Sequence, residues 1–586
     1  MNNFTLPLSK KTVMIALQAC LFSLFTFFAK AQAVYTTAVA DWTQSWNSNS
    51  GSYQAAGGPG IYSFGSDANN GQVNTRLLTS DGTTSGAQQP LRVGQKLIIR
   101  LTAPVGDPGG GNRTGIQTNG RIGFSLKSST GFFDGSSALD RHNLNSLLQV
   151  EFKGGTSTAQ IVSGDGVTTS GMPNFTDFVN GITYVVEMIS DKEFNLELLG
   201  GTRYNVKPLM ATGTIKQISI VNLGNNRDAV YTLVEVANTS TVSLISNTAE
   251  FKTVTGVISD NGVIANTVTK SGAGTVTFTG QNTYTGSTTI SNGTLVLNGA
   301  SANTINAGND IFLSSGGTLQ VSQNQTVGNL VVPAGSTLIV DAGKTLTITG
   351  SFSGGGTITN NGTISMSGTF PQNFPGAGTV TAMNNLVINN NSASGVTLNS
   401  ATLTVTGTLS FAANGGIKSL LSTGSNTIIA STVTGASAAN GWVNGNLRKP
   451  VAAATNYDFA VGTATTYAPA SISFSSVGVA GSITVRTNNG ASANYPAVFS
   501  TSNRLARYWT VTNSGVGSFT ASTTFNYNPA DLVGTATQSS VKPYKFDGPS
   551  TFSYPASSTG TNSFTQTGLT SFSEFGAGEC GTIAVA

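Results

Sequence analysis

Four carboxylates between residues 187 and 197 form the densest acidic group in the sequence. They are Glu187, Asp191, Glu193 and Glu197. Glycosidases use two carboxylates about 5 to 10 Å apart, one as an acid and the other as a nucleophile or base. A turn is predicted around Ser190–Lys192, and a turn would scatter the carboxylates. We therefore expect no catalytic pair here.

Histidine and cysteine are scarce in this sequence. His142 is the only histidine, and Cys20 and Cys580 are the only cysteines. A triad built on histidine needs a serine or cysteine folded beside the imidazole, and no Gly-x-Ser-x-Gly elbow accompanies His142. Transition-metal sites need several His or Cys ligands. The sequence therefore predicts no catalytic residues, no cofactor and no metal site, and the protein is not expected to be an enzyme.

Charged residues are sparse between residues 251 and 410. They are Lys252, Asp260, Lys270, Asp310, Asp341 and Lys344. A polysaccharide lyase on a β-helix needs acidic calcium ligands and a basic residue that removes a proton, grouped on one face. These residues are widely spread and include no arginine. We therefore do not expect lyase activity from this segment.

Aromatic residues near the N-terminus could stack on sugar rings. Trp42 and Trp46 are the candidate glycan contacts, although burial in the core of a sandwich is the alternative for such rings. The loops at Asp107–Gly111 and Asp165–Thr168 could bind calcium. A single Asp among glycines is more typical of a plain turn.

Composition indicates a turn-rich, all-β extracellular protein. The 586 residues are enough for about three or four domains. Only 9% of residues are charged, 71 are glycine, and 38% are hydrophobic and alternate with polar residues. The net charge of +4 falls to +1 when Lys10, Lys11 and Lys30 are removed with a signal sequence. A nearly neutral surface argues against nucleic acid as a partner.

Residues 1–33 have the pattern of a secretory signal. Lys10 and Lys11 precede the apolar stretch Thr12–Phe28, and Ala29–Ala31 or Ala31–Ala33 offers a cleavage site. No later apolar run approaches membrane-spanning length. We predict an extracellular or outer-surface protein with no transmembrane segment after signal removal.

Residues 34–245 predict a jelly-roll-like β-sandwich. Alternating strands are predicted at Lys96–Leu101, Arg121–Leu126, Leu148–Phe152, Thr183–Ile189, Phe194–Leu199 and Gln217–Val221. The fourth and fifth of these predict a hairpin. The pattern is similar to that of concanavalin-like lectin and glucanase sandwiches, and this similarity implies a domain that binds or acts on carbohydrate.

The segment Lys270–Asn298 contains short alternating runs separated by Gly and Asn. Its Gly-Thr-apolar signal recurs at Gly274, Gly293, Gly317, Gly356 and Gly378. Recurrence every 19 to 39 residues or so predicts a β-solenoid, whose coils bury their inner faces only against their neighbours. We assign residues 246–415 to the solenoid. The part after Gly350 drifts from the repeat and is expected to form a stalk-like extension.

Seven residues of this segment stand at the spacing of a known motif. They are Gly272, Gly274, Asn282, Tyr284, Gly286, Gly293 and Leu295. With them the segment resembles the autotransporter-associated β-strand repeat of bacterial passenger domains. The resemblance implies a secreted, parallel β-helical segment and does not imply an enzyme.

Residues 416–586 predict a second sandwich-like module. Trp442–Lys449, Tyr457–Gly462, Arg507–Trp509 and Ser571–Phe575 resemble a module of large surface proteins that use type IX secretion. That resemblance implies a sorting domain after this module. Since the sequence ends at Ala586, we expect either a truncated reading frame or another export signal.

These patterns lead to three hypotheses. The first is a non-enzymatic exported surface protein with a structural or adhesive role, whose β-solenoid is a spacer and whose partners are extracellular polysaccharide or cell-surface components. The second is a carbohydrate-binding or carbohydrate-active N-terminal sandwich. The third is a fragment of a longer multidomain adhesin or enzyme.

Overall fold

The fold is described from a computed structural model. It describes residues 31–34, 43–47, 61–63, 71–78, 86–102, 116–128, 146–153, 158–164, 166–168, 172, 181–199, 203–206, 214–225, 229–246, 251–262, 264–376, 378–413, 416–548 and 551–580. The chain divides into two compact units. Unit 1 comprises Met1–Val242 and Val257–Asn266, and unit 2 comprises Ser243–Gly256 and Thr267–Ala586.

Unit 1 is built from antiparallel strands. These are β1 (Ala31–Val34), β2 (Thr43–Asn47), β3 (Ile61–Ser63), β4 (Gly71–Leu77), β5 (Gln95–Thr102), β6 (Ile116–Lys127), β7 (Ser146–Lys153), β8 (Ala159–Ser163), β9 (Gly166–Thr168), β10 (Ile182–Met188), β11 (Phe194–Leu198), β12 (Arg203–Val206), β13 (Gln217–Asn225) and β14 (Ala229–Asn238). Among the described residues they form two seven-stranded sheets. One has the order β1-β14-β5-β10-β11-β12 with β3 also paired to β14, and the other has the order β2-β4-β13-β6-β7-β8-β9.

The core of unit 1 lies between these two sheets. Alternation directs Leu97 and Ile99 of β5 and Ile122 and Phe124 of β6 into one buried cluster. The ring of Phe124 meets the ring of Tyr184 from the other sheet edge to face, with centroids 5.3 Å apart. The predicted hairpin is present as β10 and β11. The predicted sandwich is therefore confirmed.

Unit 2 begins as a solenoid of short parallel strands. These are β15 (Thr241–Ile245), β16 (Phe251–Val254), β17 (Thr267–Ser271), β18 (Thr275–Phe278), β19 (Thr288–Ile290), β20 (Gly293–Leu297), β21 (Ile311–Leu313), β22 (Gly317–Val321), β23 (Gln325–Val327), β24 (Leu330–Val331), β25 (Thr337–Val340), β26 (Thr345–Ile348), β27 (Phe352–Ser353), β28 (Thr357–Met366), β29 (Gln372–Phe374), β30 (Thr379–Ile388), β31 (Val396–Leu398), β32 (Thr402–Phe411), β33 (Leu421–Thr434) and β34 (Val443–Val451).

Apolar side chains stack in columns inside the solenoid. One column holds Val276, Leu295, Leu319 and Leu338, and the next holds Phe278, Leu297, Val321 and Val340. All of these side chains are buried, whereas the residues between the two columns, Thr277, Val296, Gln320 and Ile339, are half-buried. Burial of one such side chain is worth about 1.5–3 kcal/mol. The stack therefore gives each coil its stability without disulfides.

The expected stalk-like extension after Gly350 is wrong. Parallel pairing continues from β28 to β30, β32, β33 and β34, with register shifts inside three of these four pairs. The strands after Gly350 still alternate apolar and polar residues, and alternation is what the ladder requires. The parallel ladder also passes residue 415, the assigned limit of the solenoid.

The last part of unit 2 is largely antiparallel. Its strands are β35 (Asn456–Phe459), β36 (Val461–Gly462), β37 (Ala470–Val479), β38 (Gly481–Asn489), β39 (Phe499–Leu505), β40 (Arg507–Ser514), β41 (Gly517–Asn526), β42 (Leu532–Val533), β43 (Lys542–Gly548), β44 (Thr551–Ser553), β45 (Ser557–Gly560), β46 (Ser563–Leu569) and β47 (Glu574–Cys580), with a short 3₁₀ helix at Pro529–Asp531. Trp509 packs between Phe525 and Phe564 in its core. No helix within the described ranges is both long and apolar enough to cross a bilayer.

Candidate functional site

The repeat motif occupies the corners and the inside of one solenoid coil and the start of the next coil. Gly272 and Gly293 are corner residues with φ of +76° and +68°. A Cβ on Gly272 would stand 2.2 Å from the carbonyl oxygen of Ser246, and one on Gly293 would stand 2.4 Å from that of Gly272. Only glycine fits such a close approach of two coils in this backbone conformation.

Gly274 and Gly286 belong to the same coil. The Gly274 amide donates to the Ser246 carbonyl at 2.9 Å, and the Gly274 carbonyl accepts from the Thr294 amide at 3.1 Å. Gly274 thus joins three successive coils through its backbone. Gly286 lies in the connection that leads into β19.

Asn282, Tyr284 and Leu295 lie inside the solenoid. The Asn282 side-chain amide donates to the carbonyls of Gly280 and Thr304 at 3.1 and 3.0 Å. The Tyr284 hydroxyl lies 2.6 Å from the Thr288 hydroxyl, and burial raises the pKa of Tyr284 above the usual range. These contacts give the buried polar atoms of Asn282 and Tyr284 the hydrogen-bond partners that water would otherwise supply. The motif therefore specifies the coil itself, since its polar groups are directed inward.

Lys270 is a site residue that sequence reasoning missed. It is fully buried and pairs in register with the inward residue Ile290. Its ammonium group donates to the carbonyls of Ser271, Gly272 and Asn292 at 3.0, 2.7 and 2.9 Å. The signal was available, because Lys270 stands at an apolar position of the alternation that includes Val268. The Lys270 ammonium group therefore holds these three carbonyl groups together at the coil corner.

The acidic cluster of unit 1 is divided between a strand face and a turn. Glu187 of β10 pairs in register with Lys96 of β5, and Glu197 of β11 pairs in register with Arg203 of β12. In the turn, the Asp191 carboxylate accepts from the Val257 amide at 2.6 Å.

Glu193, the remaining member of the cluster, accepts a hydrogen bond from the Ser190 hydroxyl. The cluster therefore takes part in cross-strand pairing and turn formation. Among the described residues, no group of three or more His, Cys, Asp or Glu side chains could hold a metal ion.

Several sequence-predicted candidates fall outside the described part of the chain. Trp42, His142, Asp107–Gly111 and Asp165 are among them. Trp46 lies in β2, but its side chain is outside the described part. The glycan contact proposed for Trp42 and Trp46 therefore stays a prediction.

Unit 1 also contains a buried polar sheet surface that sequence reasoning missed. We call it the polar face, and it is formed by Ser125, Lys127, Gln149, Glu151, Gln217 and Ser219. These residues alternate with the core residues of β6, β7 and β13, so they lie on the side of the sheet that faces away from the core. The only sequence signal is a set of polar residues alternating with Ile, Leu, Val and Phe, which is also the signal of a solvent face.

The electrostatics of the polar face are unusual. Burial lowers the pKa of Lys127 to about 7, so its amine carries less charge than an ordinary lysine near neutral pH. Glu151 accepts from the Gln160 side-chain amide at 2.8 Å. Within the described residues, the side-chain amide of Gln217 has no hydrogen-bond partner.

Comparison with known proteins gives one family match and several distant structural neighbours. The passenger-associated-transport-repeat family model matches residues 268–297. Comparison with curated protein sequences gives no match.

Three solved structures illustrate how distant the structural similarity is. The calreticulin globular domain of T. cruzi is 10% identical with a TM-score of 0.24, and covers 35% of this chain and 88% of its own. A Bacillus subtilis protein with a galectin-like fold is 10% identical with a TM-score of 0.25, and covers 36% of this chain and 97% of its own. An alginate lyase of Pseudomonas aeruginosa is 11% identical with a TM-score of 0.20, and covers 33% of this chain and 88% of its own. These scores are too low to support a functional argument.

The family match falls on the coil whose corner glycines and inward side chains were described above. This repeat and the solenoid around it fit an autotransporter-associated repeat protein with a surface structural role.

Proposed function

We propose that this chain is an exported surface protein without catalytic activity, and that its solenoid is a spacer in a structural or adhesive role. One observation carries the proposal: the parallel ladder of unit 2, with apolar columns inside each coil. A spacer needs a stiff, repeating body, and a solenoid is such a body because each coil stacks on the coil before it.

The few charges in the solenoid segment support a scaffold. The Lys252 ammonium donates to the Ile245 carbonyl at 2.6 Å. The Asp310 carboxylate accepts from the Asn329 amide at 2.7 Å, and the Asp341 carboxylate accepts from the Ser322 hydroxyl at 2.5 Å. With Lys270, these groups join neighbouring coils or turns. Catalysis would need charges grouped at an open face.

The spacer role is tested by removing one whole coil. Thr294 and Thr318 occupy equivalent register positions, so deletion of residues 294–317 joins Gly293 directly to the next coil in phase. We expect the shortened mature chain to fold with an unchanged far-ultraviolet circular dichroism spectrum per residue. Deletion of residues 294–305 is the matched control, since it puts inward residues out of phase and should unfold the solenoid.

Enzymatic activity is tested on the same purified proteins. The mature chain is incubated with soluble and insoluble polysaccharides, and newly formed reducing ends are measured. The proposal expects no product from the full-length or the coil-deleted chain. Robust release of reducing ends by either chain would refute the proposal.

A second candidate function is carbohydrate binding by unit 1, and it rests on the sandwich fold with the aromatic residue Trp46 in β2. The polar face does not support it, because the Gln217 and Lys127 side chains are fully buried. Glycan-array binding by the full mature chain, lost in Trp46→Ala and kept in Lys344→Met of the solenoid, would support it. Absence of glycan binding by the wild-type chain would refute this second function.

A further inference from the structure

A cleft of about 340 Å³ lies in unit 2, where the end of β33 meets β35, β37 and β41. Its lining includes Val433, Asp458, Phe459, Tyr467, Ser471 and Asn526. Small-molecule sites have volumes of about 300–1,000 Å³, so this cleft has room for a small saccharide. The lining combines apolar groups with a carboxylate, a phenol, an amide and a hydroxyl.

The polar groups of the cleft are held in place by their neighbours. The Asn456 side-chain amide donates to Asp458 Oδ1 at 2.8 Å, and Asn456 Oδ1 accepts from the Ser471 hydroxyl at 2.7 Å. The Asn526 backbone amide and its side-chain amide both donate to the Pro469 carbonyl, at 3.0 and 3.4 Å. A carboxylate and an amide fixed in this way lose little freedom when a ligand binds.

The aromatic side of the cleft is equally fixed. Tyr467 is half-buried and packs against the buried Trp442, with ring centroids 5.5 Å apart. The Trp442 indole donates to the Thr463 carbonyl at 2.8 Å, which sets its orientation. Burial and the nearby Asp458 carboxylate raise the pKa of Tyr467, so its hydroxyl stays a hydrogen-bond donor at neutral pH.

The charge of the cleft disfavours an anionic ligand. Among the described residues, the lining includes Asp458 and no lysine or arginine. The nearby Lys449 ammonium interacts with the Asp458 carboxylate and donates to the Ser431 carbonyl at 2.7 Å, but it is not among the lining residues. A phosphate, sulfate or uronate would therefore meet a carboxylate with no lining cation to compensate. A neutral polyol meets acceptors, donors and an apolar wall.

We propose that this cleft binds a neutral saccharide, with Asp458 and Asn526 bonding its hydroxyls and Tyr467 packing against its apolar C–H face. Sugar rings present these two kinds of surface together, and the cleft presents the matching groups at fixed positions. The proposal goes beyond the spacer role, because it assigns a ligand to the C-terminal part of unit 2. The coil-deletion test does not use the cleft, so the two proposals can fail separately.

The test is saturation-transfer NMR with the full mature chain. The probes are methyl α-glucoside, methyl α-mannoside, methyl β-galactoside and cellobiose, with glucuronate as the anionic comparison. We expect at least one neutral sugar to give a signal and glucuronate to give none. Asp458→Asn should weaken binding of that sugar about tenfold or more, since it removes charge-assisted hydrogen bonds.

Two further variants keep the test decisive. Ala436→Trp fills the cleft without removing the Asp458 hydrogen bonds and should abolish binding. Glu579→Gln removes one negative charge from the same module outside the cleft and should bind as the wild type does. The proposal is overturned if no neutral sugar binds at millimolar concentration, or if binding survives in the folded Ala436→Trp variant.

Discussion

Leu295→Ala tests whether the inward columns stabilise the solenoid. Leu295 is fully buried, and its register partners on the two neighbouring coils are Val276 and Leu319. Truncation to alanine would leave a cavity bounded by apolar side chains from three coils. The neighbours are held by parallel ladders on both sides, so they have little freedom to collapse into this space.

The expected cost follows from this geometry. Leucine-to-alanine changes at rigid core sites cost about 3 to 5 kcal/mol, and we expect about 3 kcal/mol here. Thr294→Ala is the matched control, because Thr294 precedes Leu295 on the half-buried outer face and should change stability by about 0.5 kcal/mol or less.

Urea unfolding of the mature chain, followed by far-ultraviolet circular dichroism, gives both free energies. A Leu295→Ala cost no larger than that of Thr294→Ala would refute the packing account of the solenoid.

Three further predictions use the same unfolding assay. Gly293→Ala should cost about 2 kcal/mol or more, because its Cβ would stand 2.4 Å from the Gly272 and Gly274 carbonyl oxygens. Gly308→Ala is the control, since Gly308 also has a positive φ but faces open space, and it should cost about 1 kcal/mol. Equal costs would contradict the close-approach argument. Asp531→Asn should cost about 3 kcal/mol, because it removes the carboxylate charge and one of the two oxygens that accept 2.7 Å hydrogen bonds from the buried Arg507. Asp547→Asn, at a more exposed carboxylate, is the control, with a cost below about 1 kcal/mol. Lys127 has a folded pKa of about 7 against 10.5 for the unfolded chain, so the unfolded state binds more protons between these values. The free energy of unfolding should therefore rise between pH 7 and pH 10, by at most about 1.4 kcal/mol per pH unit. Lys127→Met should remove this rise, and an unchanged pH dependence would contradict the burial of the amine.

Much of the fold could be predicted from alternation and glycine spacing. The runs at Thr275–Thr279 and Thr294–Leu297 indicated short strands with inward apolar residues, and these strands stack in parallel with Thr275 opposite Thr294. The hairpin of β10 and β11 followed from its two alternating runs around a polar turn. These predictions succeed because local pattern decides which face of a strand is buried.

The remaining features depend on contacts that sequence spacing does not encode. Lys270 and Lys127 occupy buried positions that their charge argues against, and only the neighbouring carbonyls or sheet partners explain them. The extent of the parallel ladder was underestimated because the spacing of the repeat changes after Gly350 while alternation persists. The Asp458 cleft joins residues from β33, β35, β37 and β41, which are far apart in the chain.

Surface exposure is the central claim, and Cys580 gives the most direct measurement of it. Its thiol is free and exposed at the end of β47. Intact cells that produce the protein are treated with a membrane-impermeant maleimide, and labelling is compared with that of lysed cells and of the Cys580→Ser variant. The account predicts equal labelling of intact and lysed cells and none in Cys580→Ser. Labelling that appears only after lysis would contradict a surface protein.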